Sequence, residues 1–188
     1  EYYSRFEKAA RETEGVTLTW EGHFIDPLFT HTTTGFTRPG DEEHPYLASV
    51  SCVHDPEEEG FVQEMIMQPE EAAKRVSAIP AGDGSFRTIP PEAFPEQVQI
   101  ISRDEAGYAL QLQIGGFPFN GEEVRLALGL PSACFELNRH GSDVRFTVRG
   151  RGHGWGLSQT EAQALAEDGW SAEAILEYFY TGISFSSE

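Results

Sequence analysis

Cysteine is nearly absent from this sequence, with Cys52 and Cys134 the two in 188 residues. Each sits in an apolar, strand-like run, the habit of a buried free thiol. A bridge between them cannot be read from sequence, and the redox compartment stays open. Basic residues are scarce as well, with 13 Lys and Arg against 31 Asp and Glu and a formal net charge of −18. That balance argues against nucleic acid as a partner and against simple electrostatic attraction to anionic wall polymers or lipids. It reads as a solubility feature. No apolar run is long enough to cross a bilayer, and no signal-peptide pattern opens the chain, so no anchor is expected within these residues. There are no internal repeats. A first residue of Glu1, not methionine, predicts a fragment or a processed form.

What is present predicts an α+β fold: a mixed, largely antiparallel sheet with short helices packed on it. Helices are expected at about 2–13, 69–76, 121–128, 158–168 and 172–180. In the first, Tyr3, Phe6, Ala9 and Ala10 share a face. The second has Pro69 at its first position and acids in its first turn. Asn120 and Ser158 are N-caps, with Glu123 and Glu161 at the reciprocal capping-box positions. Val16–Trp20 alternates like a strand, and His23 to Phe29 is expected to return beside it. Strands follow at 61–67, 98–101, 108–114, 134–138 and 144–148, the middle pair forming a hairpin that turns at Asp104 to Gly107. Residues 77–95, rich in Pro and Gly, read as a flexible linker.

The most informative stretch is Arg149 to Ser158, in which Gly150, Gly152, Gly154 and Gly156 alternate with larger residues. In extended backbone this puts four hydrogen atoms on one face and Arg151, His153 and Trp155 on the other. Four glycines imply that something lies close against the main chain. The ribbon would deliver His153 and Trp155 beside the free N–H groups of a helix start. The alternative is a glycine-rich turn with Trp155 in the core.

Metal chemistry has one candidate cluster, His31, His44, Cys52 and His54, but its spacing matches no closed zinc motif. No metal and no cofactor are expected. Ser158 lacks the glycine-elbow surroundings of a nucleophile, and its capping role accounts for it.

Gly150 to Gln159, Ala162, Ala166, Gly169-Trp170 and Tyr178-Phe-Tyr-Thr-Gly182 resemble the C-terminal signature of the stage II sporulation protein D family, which shares its domain with bacterial amidase enhancers. Phe29 to Thr37, with its threonine run and Gly-x-Thr, and Pro45 to Val50 resemble that family too. Two departures stand out. Val53-His54-Asp55 replaces the family's Pro-Trp-Asp, and the family's N-terminal helix and catalytic glutamate have no counterpart here. The resemblance implies that residues 1–188 are the C-terminal portion of such a domain. It implies a peptidoglycan lytic transglycosylase acting on denuded glycan strands, in sporulation or wall remodelling. The catalytic acid is expected upstream of Glu1, so these residues alone are expected to be inactive. Thr33, Thr37, His153, Gly154, Trp155, Ser158 and Gln159 are the implied substrate-binding residues. The alternative is a non-catalytic peptidoglycan-binding or amidase-stimulating module. Implied partners are glycan strands and other sporulation or wall-hydrolase proteins. The implied place is the cell envelope or the outer face of a bacterial membrane.

Overall fold

The polypeptide begins one core, leaves it to build a second, and returns to finish the first. The computed structural model describes residues 2–187. The outer unit starts with α1 (Tyr2–Glu12), β1 (Val16–Trp20), β2 (His23–Phe24) and β3 (Phe29–Thr30). The inner unit follows as β4 (Val62–Met67), α2 (Pro69–Ser77), β5 (Val98–Arg103), β6 (Ala109–Ile114), β7 (Phe117–Asn120), α3 (Gly121–Leu128), β8 (Phe135–His140) and β9 (Asp143–Arg149). The chain then re-enters the outer unit through β10 (Leu157–Ser158), α4 (Gln159–Glu167), α5 (Ala172–Phe179) and β11 (Ile183–Ser187).

The α+β expectation holds. The strands divide among four small sheets, ordered β11-β1-β2, β10-β3, β4-β9-β8 and β5-β6-β7. All pair antiparallel except β10 with β3, which is parallel. This division follows from the topology, because the inner segment pairs only with itself while β1 takes β11 from the far end of the chain. All five helices appear within a residue or two of their expected places. The expected return strand is cut short at Phe24, and Pro27, which has no N–H for a ladder, lies in the gap before Phe29.

The inner core is built by alternation. On β9, Val144, Phe146 and Val148 are fully buried, and α2 turns Ala72, Ala73 and Val76 against the same cluster. Ile79, Ile89, Ala93 and Phe94, from the Pro/Gly-rich stretch between α2 and β5, also belong to it. Burial of a side chain such as Phe146 contributes about 1.5–3 kcal/mol. On α3, Asn120 accepts from the Glu122 N–H at 2.8 Å and from the Glu123 N–H at 3.4 Å, and left-handed Gly129 ends the helix.

The outer core gathers Tyr46, Leu47, Leu165, Ile175, Phe179 and Tyr180. The closing aromatic motif is its fastening. The Tyr178 hydroxyl donates to the Ser51 carbonyl at 2.6 Å, and that of Tyr180 to the Leu28 carbonyl at 2.8 Å. Tyr3 and Phe6 on α1 remain exposed. Cys52 and Cys134 are buried free thiols, as expected. Burial, and then Asp55, pushes the Cys52 thiol up to about 12. No helix of the described residues is long and apolar enough to cross a membrane.

Candidate functional site

The glycine ribbon joins the two units, and it is not extended. All four glycines take positive φ, at 73°, 112°, 86° and 71°. The backbone therefore turns at every second residue instead of presenting one flat face of hydrogen atoms. Something does lie close, but it is the protein itself. A Cβ on Gly156 would overlap the Leu28 carbonyl, and one on Gly154 would stand 2.6 Å from the Tyr108 hydroxyl. The Gly154 N–H donates to the Thr30 hydroxyl at 3.3 Å, and its carbonyl accepts from the Arg38 N–H at 2.8 Å. Its polar backbone is used internally.

Below the ribbon lies a buried carboxylate that sequence reasoning did not single out. Asp55 is wholly buried. It accepts from the Thr33 N–H and the Thr33 hydroxyl, both at 2.6 Å, and from the Ser158 hydroxyl at 2.8 Å. A carboxylate taken out of water is tolerated only with such donors. Asp55 thus fastens the threonine loop to the start of α4. Ser158 caps that helix, accepting from the Glu161 N–H at 3.4 Å. The expected reciprocal half of the box is replaced. The Glu161 carboxylate instead accepts from the His54 N–H at 2.8 Å and meets His54 Nδ1 at 3.1 Å. This hydrogen bond raises the His54 pKa. Asp55 had one sequence signal, since it is the residue retained where the family has Pro-Trp-Asp.

His153 and Trp155 belong to a different cluster. The Trp155 N–H donates to His153 Nδ1 at 3.1 Å, which fixes that nitrogen as an acceptor, and the two rings lie 5.6 Å apart. Burial, followed by the cations Arg125 and Arg38, lowers the His153 pKa. Arg38 is itself buried between the Tyr108 and Trp155 rings, 4.8 and 3.7 Å from their centroids. The indole N–H donates to the Pro39 carbonyl at 3.1 Å.

A polar cleft of about 600 Å³ opens beside α4, with His31, His54, Gln159, Thr160 and Gln163 in its walls. His31 Nδ1 and Gln159 Oε1 stand 3.4 Å apart across it. Of the seven expected binding residues, Gln159 lines this cleft, while Thr33 and Ser158 are buried and meet at Asp55. Thr37 is buried and bonded to the 48–50 segment. Trp155 lines a separate hollow of about 280 Å³ with Leu28, Pro39, Asp41 and His44. His153 and Gly154 line neither. The expected residues are thus divided between two clusters instead of sharing one concave surface. In the histidine and cysteine group weighed for metal, His44 faces Asp41 at 2.8 Å and His54 faces Glu161. Side-chain amides, hydroxyls and imidazoles in an open cleft are suited to a polyhydroxylated ligand.

No family model matches the chain. Over 182 residues, 95% of its length, it is 29% identical to "Stage II sporulation protein D" of Bacillus amyloliquefaciens. It is also 29% identical over 182 residues to the protein of that name from Bacillus subtilis (strain 168). Each alignment covers 50% of the relative, so the chain spans about half the length of the curated relatives it matches. Motif order and the breadth of these two matches make the chain similar to stage II sporulation protein D.

Proposed function

We propose that this chain acts on the bacterial cell wall during sporulation, holding a glycan strand in the cleft beside α4 as the binding portion of a lytic transglycosylase. The observation that carries the reading is the convergence of the two family motifs at Asp55, whose hydrogen bonds to Thr33 and Ser158 set Gln159 and Thr160 at the cleft wall. In such a reaction a carboxylic acid protonates the glycosidic oxygen. The 6-hydroxyl of the same sugar attacks the anomeric carbon, giving up its proton to the resulting carboxylate. The acid contributes about 10²–10⁴ in rate. Asp55 and Glu161 are poor candidates, because their carboxylates are buried and already hydrogen-bonded. The family resemblance implies an acid in the half of the relatives' length that this chain does not match, with residues 1–188 as the C-terminal part of the whole domain. The site of action on this reading is the cell envelope.

The test is co-sedimentation with purified wall glycan stripped of its peptides, together with an assay for anhydro-sugar ends. Residues 1–188 should bind the glycan and release no anhydro ends. Joined to the unmatched half of a relative, they should release them. Absence of glycan binding would overturn the reading. Anhydro-sugar release by the chain alone would move the acid into these residues. Binding without release in the joined protein would favour a non-catalytic, amidase-stimulating module.

A further inference from the structure

The 600 Å³ cleft does not end at His31. A second hollow of about 140 Å³ shares His31 and Glu58 with it and continues past Phe61 and Gln63 to Arg151. The two hollows adjoin through these shared residues. Arg151 lines the second hollow on a fixed backbone. Its N–H donates to the Thr32 carbonyl at 2.8 Å, and its carbonyl accepts from the Thr32 N–H at 3.0 Å and the Thr30 hydroxyl at 3.1 Å.

The side chain is another matter. Arg11, Arg38, Arg75, Arg125, Arg139, Arg145 and Arg149 all pair with carboxylates. The exposed Arg151 guanidinium has no hydrogen bond or ion pair with any described residue. Glu58 and Glu59 line the same hollow without approaching to ion-pair distance. An exposed guanidinium that lines a hollow beside two glutamates and bonds to neither is free to take a ligand.

We propose that Arg151 is a specificity-determining residue of the second hollow, binding a carboxylate carried by a sugar polymer. A guanidinium matches a carboxylate with two parallel N–H···O bonds, which a neutral side chain cannot supply. Glu57 and Glu167 line the main cleft, Glu58 lines both hollows and Glu59 lines the second, so Arg151 is the cation set among these acids. The register on this proposal is set by Arg151 alone. An uncharged sugar lies against Gln159, Thr160 and Gln163, and a carboxylated one lies against Arg151. The net charge of −18 opposes any anionic polymer as a whole, so this local contact must carry the discrimination. The inference rests on the glycan-binding reading above and adds the chemical class of sugar it selects.

The experiment compares three ligands of matched length on the 188-residue chain: wall glycan stripped of peptide, wall glycan with its peptides, and an N-acetylglucosamine oligomer, which has no carboxylate. The stripped glycan should bind about tenfold more tightly than the oligomer. Arg151→Gln should erase that difference, and Arg151→Lys should retain part of it. Arg151 is exposed and its backbone bonds survive substitution, so unchanged melting curves confirm that the variants fold. Tightest binding to the peptide-bearing glycan supports the same chemistry and assigns the carboxylate to the peptide, not the sugar. Equal affinity of the wild type for stripped glycan and oligomer, or discrimination that survives Arg151→Gln, overturns this inference and leaves the glycan-binding reading standing. Failure of the wild type to bind any of the three overturns both.

Discussion

The Arg38 guanidinium lies 3.7 Å from the centroid of the Trp155 ring while donating through Nη1 to the His153 carbonyl at 3.1 Å. The same guanidinium reaches Asp104 at 2.6 Å and Glu122 at 3.1 Å, both in the inner unit. One buried cation therefore joins the outer unit, the ribbon and the inner unit. Removing it strands the partly buried Asp104 carboxylate, leaves Glu122 with Arg125 alone, and uncovers two rings. Arg38→Met should cost about 3–5 kcal/mol, read from the urea midpoint. Arg38→Lys should recover little, because an ammonium cannot keep the forked contacts and the ring stacking together. A variant as stable as wild type would show that the two units do not depend on this contact.

The glycine ribbon gives a graded comparison. Gly154 and Gly116 have nearly equal φ, 86° and 85°, but a Cβ meets the Tyr108 ring at Gly154 and nothing within 4 Å at Gly116. Gly116→Ala should cost about 1–2 kcal/mol, the left-handed penalty alone. Gly154→Ala should cost clearly more, since backbone or Tyr108 must also move. Equal melting shifts would mean that Tyr108 yields freely.

Two histidines should give opposite pH slopes. His54 has its pKa raised in the fold by the Glu161 hydrogen bond, so its contribution is full below the unfolded value of about 6.5 and lost as pH rises through the folded pKa. His153 has its pKa lowered by burial, so the fold loses stability as pH falls from about 6.5 toward the folded pKa. His54→Gln should remove the decline on the alkaline side, and His153→Gln the decline on the acid side. Imidazole NMR titration checks both directions. Glu161→Gln should return His54 toward its ordinary value, and a titration midpoint unmoved by that change would break the assignment.

Element positions were legible because their signals are local. Asn120, Ser158, Pro69 and Gly129 mark helix ends through bonds made within one turn. The hairpin of β5 and β6 follows from alternation across a short turn. What could not be read was which distant groups meet. The spacing of the ribbon glycines called for a close neighbour, yet nothing local says that this neighbour is Leu28 or Tyr108 instead of a ligand. Glu161 sits where a capping box would use it, but His54, 107 residues away, offers two donors and takes the carboxylate. Long-range hydrogen bonds overrode a correct local reading there. The site was half legible for the same reason. Gln159 was named and lines the cleft, while His31, His54 and Asp55 depend on the threonine loop folding back over α4.

That fold-back is itself testable at Asp55. Its carboxylate takes three hydrogen bonds from Thr33 and Ser158, residues in the two family motifs, with no cation among those donors. Ser158→Ala removes one donor and the α4 cap together, for about 1–2 kcal/mol from the cap and about 1–3 more for the short-changed carboxylate. Asp55→Ala leaves the Thr33 N–H and both hydroxyls without their acceptor and opens a polar void, so it should cost as much or more. The double variant should cost less than the sum of the two singles, because each removes the same contact. Strict additivity in urea unfolding would mean that Asp55 and Ser158 do not act on each other. Asp55→Asn refines the reading, since its oxygen can still accept while its NH₂ faces a donor already in place. It should fall between wild type and Asp55→Ala in stability. On the proposed function it should also weaken glycan binding more than its stability loss explains, because Gln159 and Thr160 are set by the same helix start.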